Sequence, residues 1–419
     1  MNLVRWFGPV VAGGALIAAA CGGNDDANDD DGQAGTPAES TAPAETASPA
    51  PTQNVDSQYV QYLFQDWPRT DPATLTVPPR EILKGCPGPD CIPALDVEGA
   101  VEISAPRGGQ AKFAAVTDVA YDERLPVAFV NVNGAIKGYP LHIMTRHEIV
   151  NDVIGGVPVA VTFCPLCNTA LSFDRRVDDM VLDFGVSGNL RNSDLIMFDR
   201  QTESWWQQAI GEAIAGPLAG KELKPIATSV VSFGDFAASF PDALILTEET
   251  GFGIQYGFNP YEFYDRAGTR PFLFQGEIDP RLDGLERVIG LEFDGEALAV
   301  PYSEVGTAGA ANVVVGSQPV AVLWAPGTVS VLDTSDVLKA RDIGAAAAYN
   351  PVVDGQVLTF ASIGDGLFRD EETGSTWMVT GVAIDGPLAG TQLEAVTHTS
   401  HFWFAWAAFY PETEIWTAS

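Results

Sequence analysis

The chain matches itself at an offset of 161 residues. Val127 to Pro165 lies over Val288 to Pro326 without a gap, and 11 of the 39 aligned positions are identical. The matches fall where a backbone is particular. Asn133-Gly134 overlies Asp294-Gly295, both favoured two-residue hairpin turns, and Pro158-Val159-Ala160-Val161 overlies Pro319-Val320-Ala321-Val322. Further along the offset becomes 170: Gly216-Pro217-Leu218-Ala219-Gly220 returns as Gly386-Pro387-Leu388-Ala389-Gly390, and Phe236-Ala237-Ala238 overlies Trp406-Ala407-Ala408. A longer connection near Ile343 to Tyr349 absorbs the change. Register kept over this length reads as two tandem pseudo-repeats.

Within each unit the apolar residues alternate with period two between Gly, Asn and Pro punctuation, which predicts strands. In the first unit these are Val127 to Val132, Ala135 to Tyr139, Val157 to Phe163, Thr169 to Arg175 and Leu195 to Asp199. Helical spacing predicts one amphipathic helix over Leu141 to Val153, and others over Asp235 to Phe240 and His401 to Phe409. The strands stand too close together for helical crossovers, so the expected class is a β-rich α+β fold. It would comprise two tandem pseudo-repeats of mainly antiparallel strands with a few short helices. The expected divisions are a signal peptide over 1–20, a tether over 21–56, a lead-in segment over 57–122 that packs on the first pseudo-repeat, that repeat over 123–249, a connector over 250–286 and the second repeat over 287–419.

The first residues read as a lipoprotein-type signal. An apolar stretch from Trp6 to Ala20 follows Arg5, is broken by Gly8, Pro9, Gly13 and Gly14, and is too short to span a bilayer. Ala18, Ala19 and Ala20 then lead into Cys21, the expected lipidation site. Gly22 to Asp56 holds eight acids, no base and scarcely an apolar side chain larger than Ala, so it reads as a solvated tether. With 22 basic and 55 acidic residues the net charge is −33, which excludes nucleic acid as a partner. Anionic headgroups are repelled too, so membrane contact would come through the lipid anchor only, on an exported chain held at the cytoplasmic membrane or cell envelope. A protein partner or a small solute stays open. Cys86 and Cys91 bracket a Pro-Gly-Pro-Asp loop in an exported chain, where a disulfide is the plain reading.

The two copies serve as an internal control. The first has His147, Cys164 and Cys167 where the second has Ala308, Ala325 and Thr328, while Asn151 is kept as Asn312. A hairpin that closes without sulfur points to chemistry for the thiols, and the joint loss of His147 points to one shared site. A retained Asn points to a structural hydrogen bond. Cys164-Pro165-Leu166-Cys167 can chelate a soft metal or interconvert with a disulfide. No helix N-terminus lies at the first Cys to depress its pKa, which favours a metal, copper or zinc, with Cys164, Cys167 and His147 as ligands. Met144 or His142 is a further candidate ligand. The alternatives are a thiol-disulfide oxidoreductase and a non-catalytic solute- or partner-binding scaffold in which Cys164 and Cys167 form an inert structural disulfide.

Other fragments carry less. His147-Glu148-Ile149-Val150-Asn151 begins like a zinc-protease helix but has Asn where the second His must stand. Gly185 to Asn189 lacks the last Gly of a hydrolase elbow and reads as a loop. Arg191, Asn192, Asp194, Asp199 and Arg200 form a polar run that could line a solute pocket. Thr202 to Trp206 recurs as Thr373 to Trp377, which favours packing there.

The motifs Arg146-His147-Glu148-Ile149-Val150-Asn151-Asp152 and Pro158-Val159-Ala160-Val161-Thr162-Phe163-Cys164-Pro165-Leu166-Cys167-Asn168 resemble those of the domain of unknown function family 3179. Ser187 to Asp194, Asp199 to Thr202, Gly216 to Gly220 and Asn259-Pro260-Tyr261 extend the resemblance, from about Leu75 to Trp416. It implies an exported or anchored prokaryotic protein with no established reaction. Cys86 and Cys91 depart from the family pattern and mark a local addition.

Overall fold

Strands expected from alternation form at Pro126–Val132, Ala135–Pro140, Val157–Cys164, Thr169–Asp174 and Asp194–Asp199. They belong to a computed structural model that describes residues 55–106 and 109–418; the signal, Cys21 and nearly all of the tether lie outside the described residues. Strand makes up 41% and helix 13%, and the sheets are mostly antiparallel, so the chain is β-rich with short helices. Among the described residues no helix is long and apolar enough to cross a membrane.

Asn133 and Gly134 take φ of 52° and 81°, the left-handed pair that a two-residue hairpin requires, and Asp294 and Gly295 repeat it at 55° and 80°. Each turn sets a register: Val127 faces Pro140, and Val288 faces Pro301. Thr228–Ser232 pairs with the outer side of the first hairpin, as Thr399–Phe402 does with the second. The two sets of strands are not separate layers. A ten-stranded sheet runs from Ile149–Ile154 through Val157–Cys164 and Thr169–Asp174, crosses at Ser400 opposite Ala170, and continues into Arg287–Phe293 and Glu296–Pro301.

Side-chain bonds recur at the aligned positions. Asn151 donates Nδ2 to the Phe184 carbonyl and accepts from the Phe184 N–H, both at 2.9 Å, and Asn312 does the same with Phe360, both at 2.9 Å. The Trp206 indole donates to Asp199 at 3.0 Å, and Trp377 to Asp370 at 2.8 Å. The retained asparagine is therefore a clamp from a mid-strand position onto the neighbouring sheet, and the recurring Thr-to-Trp segments are packing elements.

Two expectations are corrected. The helix ends at His147, not Val153: Glu148 turns left-handed with φ 59°, and Ile149–Ile154 runs as a strand. Apolar contacts at helical spacing hid a β-branched run, Ile149, Val150, Val153 and Ile154, which antiparallel pairing with Val157–Cys164 stabilises as strand. Gly185 to Asn189 is no loop but part of the Phe184–Arg191 strand, bulged between Val186 and Leu190. Gly188 has φ 81°, and a Cβ there would meet the Cys86 and Gly88 carbonyls at 2.8 Å, so this bulge needs glycine to let the Cys86–Cys91 loop approach. That disulfide is present, as the loop composition predicts.

Candidate functional site

Cys164 is the last residue of its strand and Cys167 sits in the turn that follows, with Asn168 at φ 54° closing it. Three bonds hold this turn: Asn168 N to the Pro165 carbonyl, Phe402 N to the Cys167 carbonyl at 2.8 Å, and the Tyr264 hydroxyl to the Leu166 carbonyl at 2.8 Å. Both thiols are free, and both are buried, Cys164 at 2% exposure and Cys167 at 0%. The Cys164 thiol donates to the Ser193 carbonyl at 3.8 Å.

That carbonyl belongs to another hairpin, where Asn192 and Ser193 both take positive φ and deliver Asp194 into the interior. One ligand atom each from Cys164, Cys167 and Asp194 lies within 4.8 Å of the others. The Asp194 Oδ2 accepts from Gln207 Nε2 at 2.5 Å and Ala209 N at 2.9 Å. Its Oδ1 has no N–H or O–H donor, and neither have Gln207 Oε1 and Gln208 Oε1. A buried acceptor without a donor costs roughly 1–3 kcal/mol, so Asp194 Oδ1 sits in the interior at a cost unless a proton or cation reaches it.

The electrostatics agree. Burial pushes the Asp194 carboxyl up to about 7, against the opposing pull of Ala209, Gln207 and Cys167. Burial and then the Asp194 charge push Glu148 up to about 8. Both thiols are raised, chiefly by burial, Cys167 further by Cys164 and Asp194; donation from Cys167 partly offsets the rise at Cys164. No Lys or Arg among the described residues forms an ion pair with Asp194 or Glu148. Four acidic groups thus interact in the buried interior, a setting that holds either protons or a cation.

His147 is not turned to the sulfurs. Its Nδ1 faces the Pro93 carbonyl at 2.8 Å, so Nδ1 carries the proton and Nε2 accepts from the Tyr256 hydroxyl at 2.6 Å. Tyr256 in turn meets Thr250 at 2.5 Å. Burial lowers the imidazole to about 4, so it is neutral, yet neither nitrogen has a lone pair left for a metal. The group that stands with the two thiols is Asp194, whereas His147, expected as a third ligand, has both nitrogens engaged elsewhere. His142 pairs with Glu248 at 3.0 Å and stands outside the Cys/Asp cluster, and Met144 is buried in the core.

The expected polar pocket also disperses. Arg191 bonds Glu81 at 2.9 Å, Asn192 forms the turn, and Asp199 holds Thr202 and Trp206. Arg200 makes a two-pronged bond to Asp90, both arms 2.7 Å. Only Asp194 of that run reaches the thiols. A sequence signal existed for Glu148, which aligns with Gly309 in the segment that lacks the cysteines. The segment expected to be a mere connector covers the site, through Tyr264 on the dithiol turn and Tyr256 on His147.

Fold and cluster together define a β-rich protein with a buried Cys/Cys/Asp centre. The chain belongs to the family described as protein of unknown function (DUF3179), whose model matches residues 89–413. No curated protein matches it, and no solved structure matches it.

Proposed function

We propose that this is a lipid-anchored extracytoplasmic protein that binds a thiophilic metal through Cys164, Cys167 and Asp194, with Glu148 beside them. One observation carries the reading: two sulfurs and a carboxylate oxygen gathered within 4.8 Å, buried, with no N–H or O–H donor on Asp194 Oδ1. Two thiolates select zinc or copper, and the hard carboxylate favours zinc over Cu(I). Such a site would serve metal holding or delivery rather than electron transfer, since zinc has no redox chemistry. The anchor rests on the Ala18-Ala19-Ala20-Cys21 sequence and the tether behind it. Metal analysis of reduced, zinc-equilibrated protein tests the site: about one zinc per chain is expected, lost in Cys164→Ser/Cys167→Ser. Equal, negligible metal in both rejects it. Labelled fatty acid should enter the wild-type chain in cells and not Cys21→Ser.

A second reading, thiol-disulfide exchange, is favoured by the Asp194 carboxyl at about 7 beside Cys167. Cys164 as thiolate would attack a substrate disulfide sulfur and expel one substrate thiolate. Cys167, losing its proton to Asp194, would then attack Cys164 and release the second, leaving Cys164–Cys167 oxidised and the substrate reduced. Raised thiols oppose this, because a nucleophilic cysteine needs an electropositive surrounding. A Cys164–Cys167 bond that glutathione cannot open at equilibrium counts against it.

A further inference from the structure

The two aligned strand sets differ in what covers their edges. In the first, Leu95–Asp96 lies parallel on Val150 and Asn151, and Phe113–Ala115 lies antiparallel on Leu244–Leu246. Both covering strands come from the lead-in segment. In the second set, the register equivalents are bare: Ala310–Val315 ends its four-stranded sheet, and Glu414–Ile415 ends the ten-stranded sheet. Between these two edges lies a cavity of about 900 Å³, the space that the lead-in strands fill on the other side.

Its lining has a definite chemistry. Val314, 68% exposed, stands with Leu298, Pro411 and Trp416 as an apolar floor. Glu296, Glu412 and Glu414 supply the charge, and no Lys or Arg lines it. Arg281 donates to the Pro411 and Thr413 carbonyls nearby but is neutralised by Asp279. The first set shows how an added strand docks: Phe113 packs edge-on against Tyr139 at 5.6 Å, while its backbone completes the sheet. Tyr139 aligns with Val300, beside Leu298, so a residue placed like Phe113 would enter this cavity.

We infer that the groove between Ala310–Val315 and Glu414–Ile415 receives an extended cationic segment of a partner protein by strand addition, with an apolar side chain as its anchor. An unpaired, apolar edge is a hazard that native sheets cover, and among the described residues no strand covers this one. Charge selects the occupant. The chain's own tether has eight acids and no base, and a second copy carries −33, so both are repelled by the glutamates. This inference is independent of the metal reading.

The test uses the full chain and two synthetic peptides of roughly ten residues, one alternating Val and Lys with a central Phe, the other with Glu for every Lys. Titration is followed by tryptophan fluorescence and by amide hydrogen exchange. The Lys peptide should bind saturably and slow exchange of the 310–315 and 414–416 amides at least fivefold. Val314→Pro, which removes an edge N–H, and the double reversal Glu412→Lys/Glu414→Lys should each weaken it about tenfold or more. Equal binding of both peptides, protection elsewhere only, no saturation, or a peptide-free dimer that already protects the edge each overturns the inference.

Discussion

Cys167 and Asp194 stand on different hairpins, yet the sulfur and a carboxylate oxygen lie within 4.8 Å of each other in the protein interior. Neither group is stable there as an unpaired anion. Their proximity is what turns a pair of buried thiols into a candidate site.

Asp194→Asn tests the cost of that charge in the metal-free protein. Folding raises the carboxyl from 3.8 to about 7, so between those values the folded state keeps a proton that the unfolded state has released. Stability from this group is therefore present at low pH, falls as pH rises through that window and stays low above it. Removing the charge should leave stability unchanged near pH 4 and raise it at pH 8, by about 4 kcal/mol at most. Urea unfolding at the two pH values measures this; a variant weaker at pH 8 would show that the carboxylate is already stabilised by protein groups.

The two aligned asparagines should differ in weight. Asn151 is 0% exposed, clamps Phe184 and also donates to Asp96 at 2.9 Å, whereas Asn312 makes only the Phe360 pair and is solvent-exposed. Asn151→Ala should cost about 3 kcal/mol and Asn312→Ala about 1 kcal/mol, because buried partners are orphaned only in the first. Thermal or urea unfolding gives the order, and equal costs would mean the clamp is not what the burial implies.

Arg175 is fully buried, ion-paired to Asp183 at 2.7 Å and bonded to the carbonyls of Leu182, Ala100 and Asp152. Asp183 in turn accepts from the Glu102 and Ile103 amides of the lead-in segment. Arg175→Met strands that carboxylate and should cost about 3–5 kcal/mol, with part recovered in Arg175→Met/Asp183→Asn. Hydrogen exchange of residues 100–103 should rise in the single variant; unchanged exchange would detach the lead-in segment from this pair.

The legible parts of this fold are the local ones. Hairpins such as Val127 to Tyr139 announce themselves because alternation and an Asn-Gly turn act over a few residues. The helix over Leu141 to His147 was visible, but its end was not, since pairing of Ile149–Ile154 with a later strand overrides helical spacing. The thiols were legible as a candidate site through the different residues, Ala325 and Thr328, at the aligned positions. Asp194 was legible only as one polar residue in a run, because its approach to the sulfurs is set by how two hairpins pack. His147 shared the pattern of loss and yet serves Tyr256 and Pro93, so joint loss marked a neighbourhood rather than a ligand set.

X-ray absorption at the zinc edge of reduced, zinc-loaded protein asks the central question directly. Two sulfur scatterers near 2.3 Å with oxygen ligands at about 2.0–2.2 Å, and no imidazole outer-shell scattering, is the expected spectrum. An imidazole signature, or a shell without sulfur, would contradict a centre built from Cys164, Cys167 and Asp194.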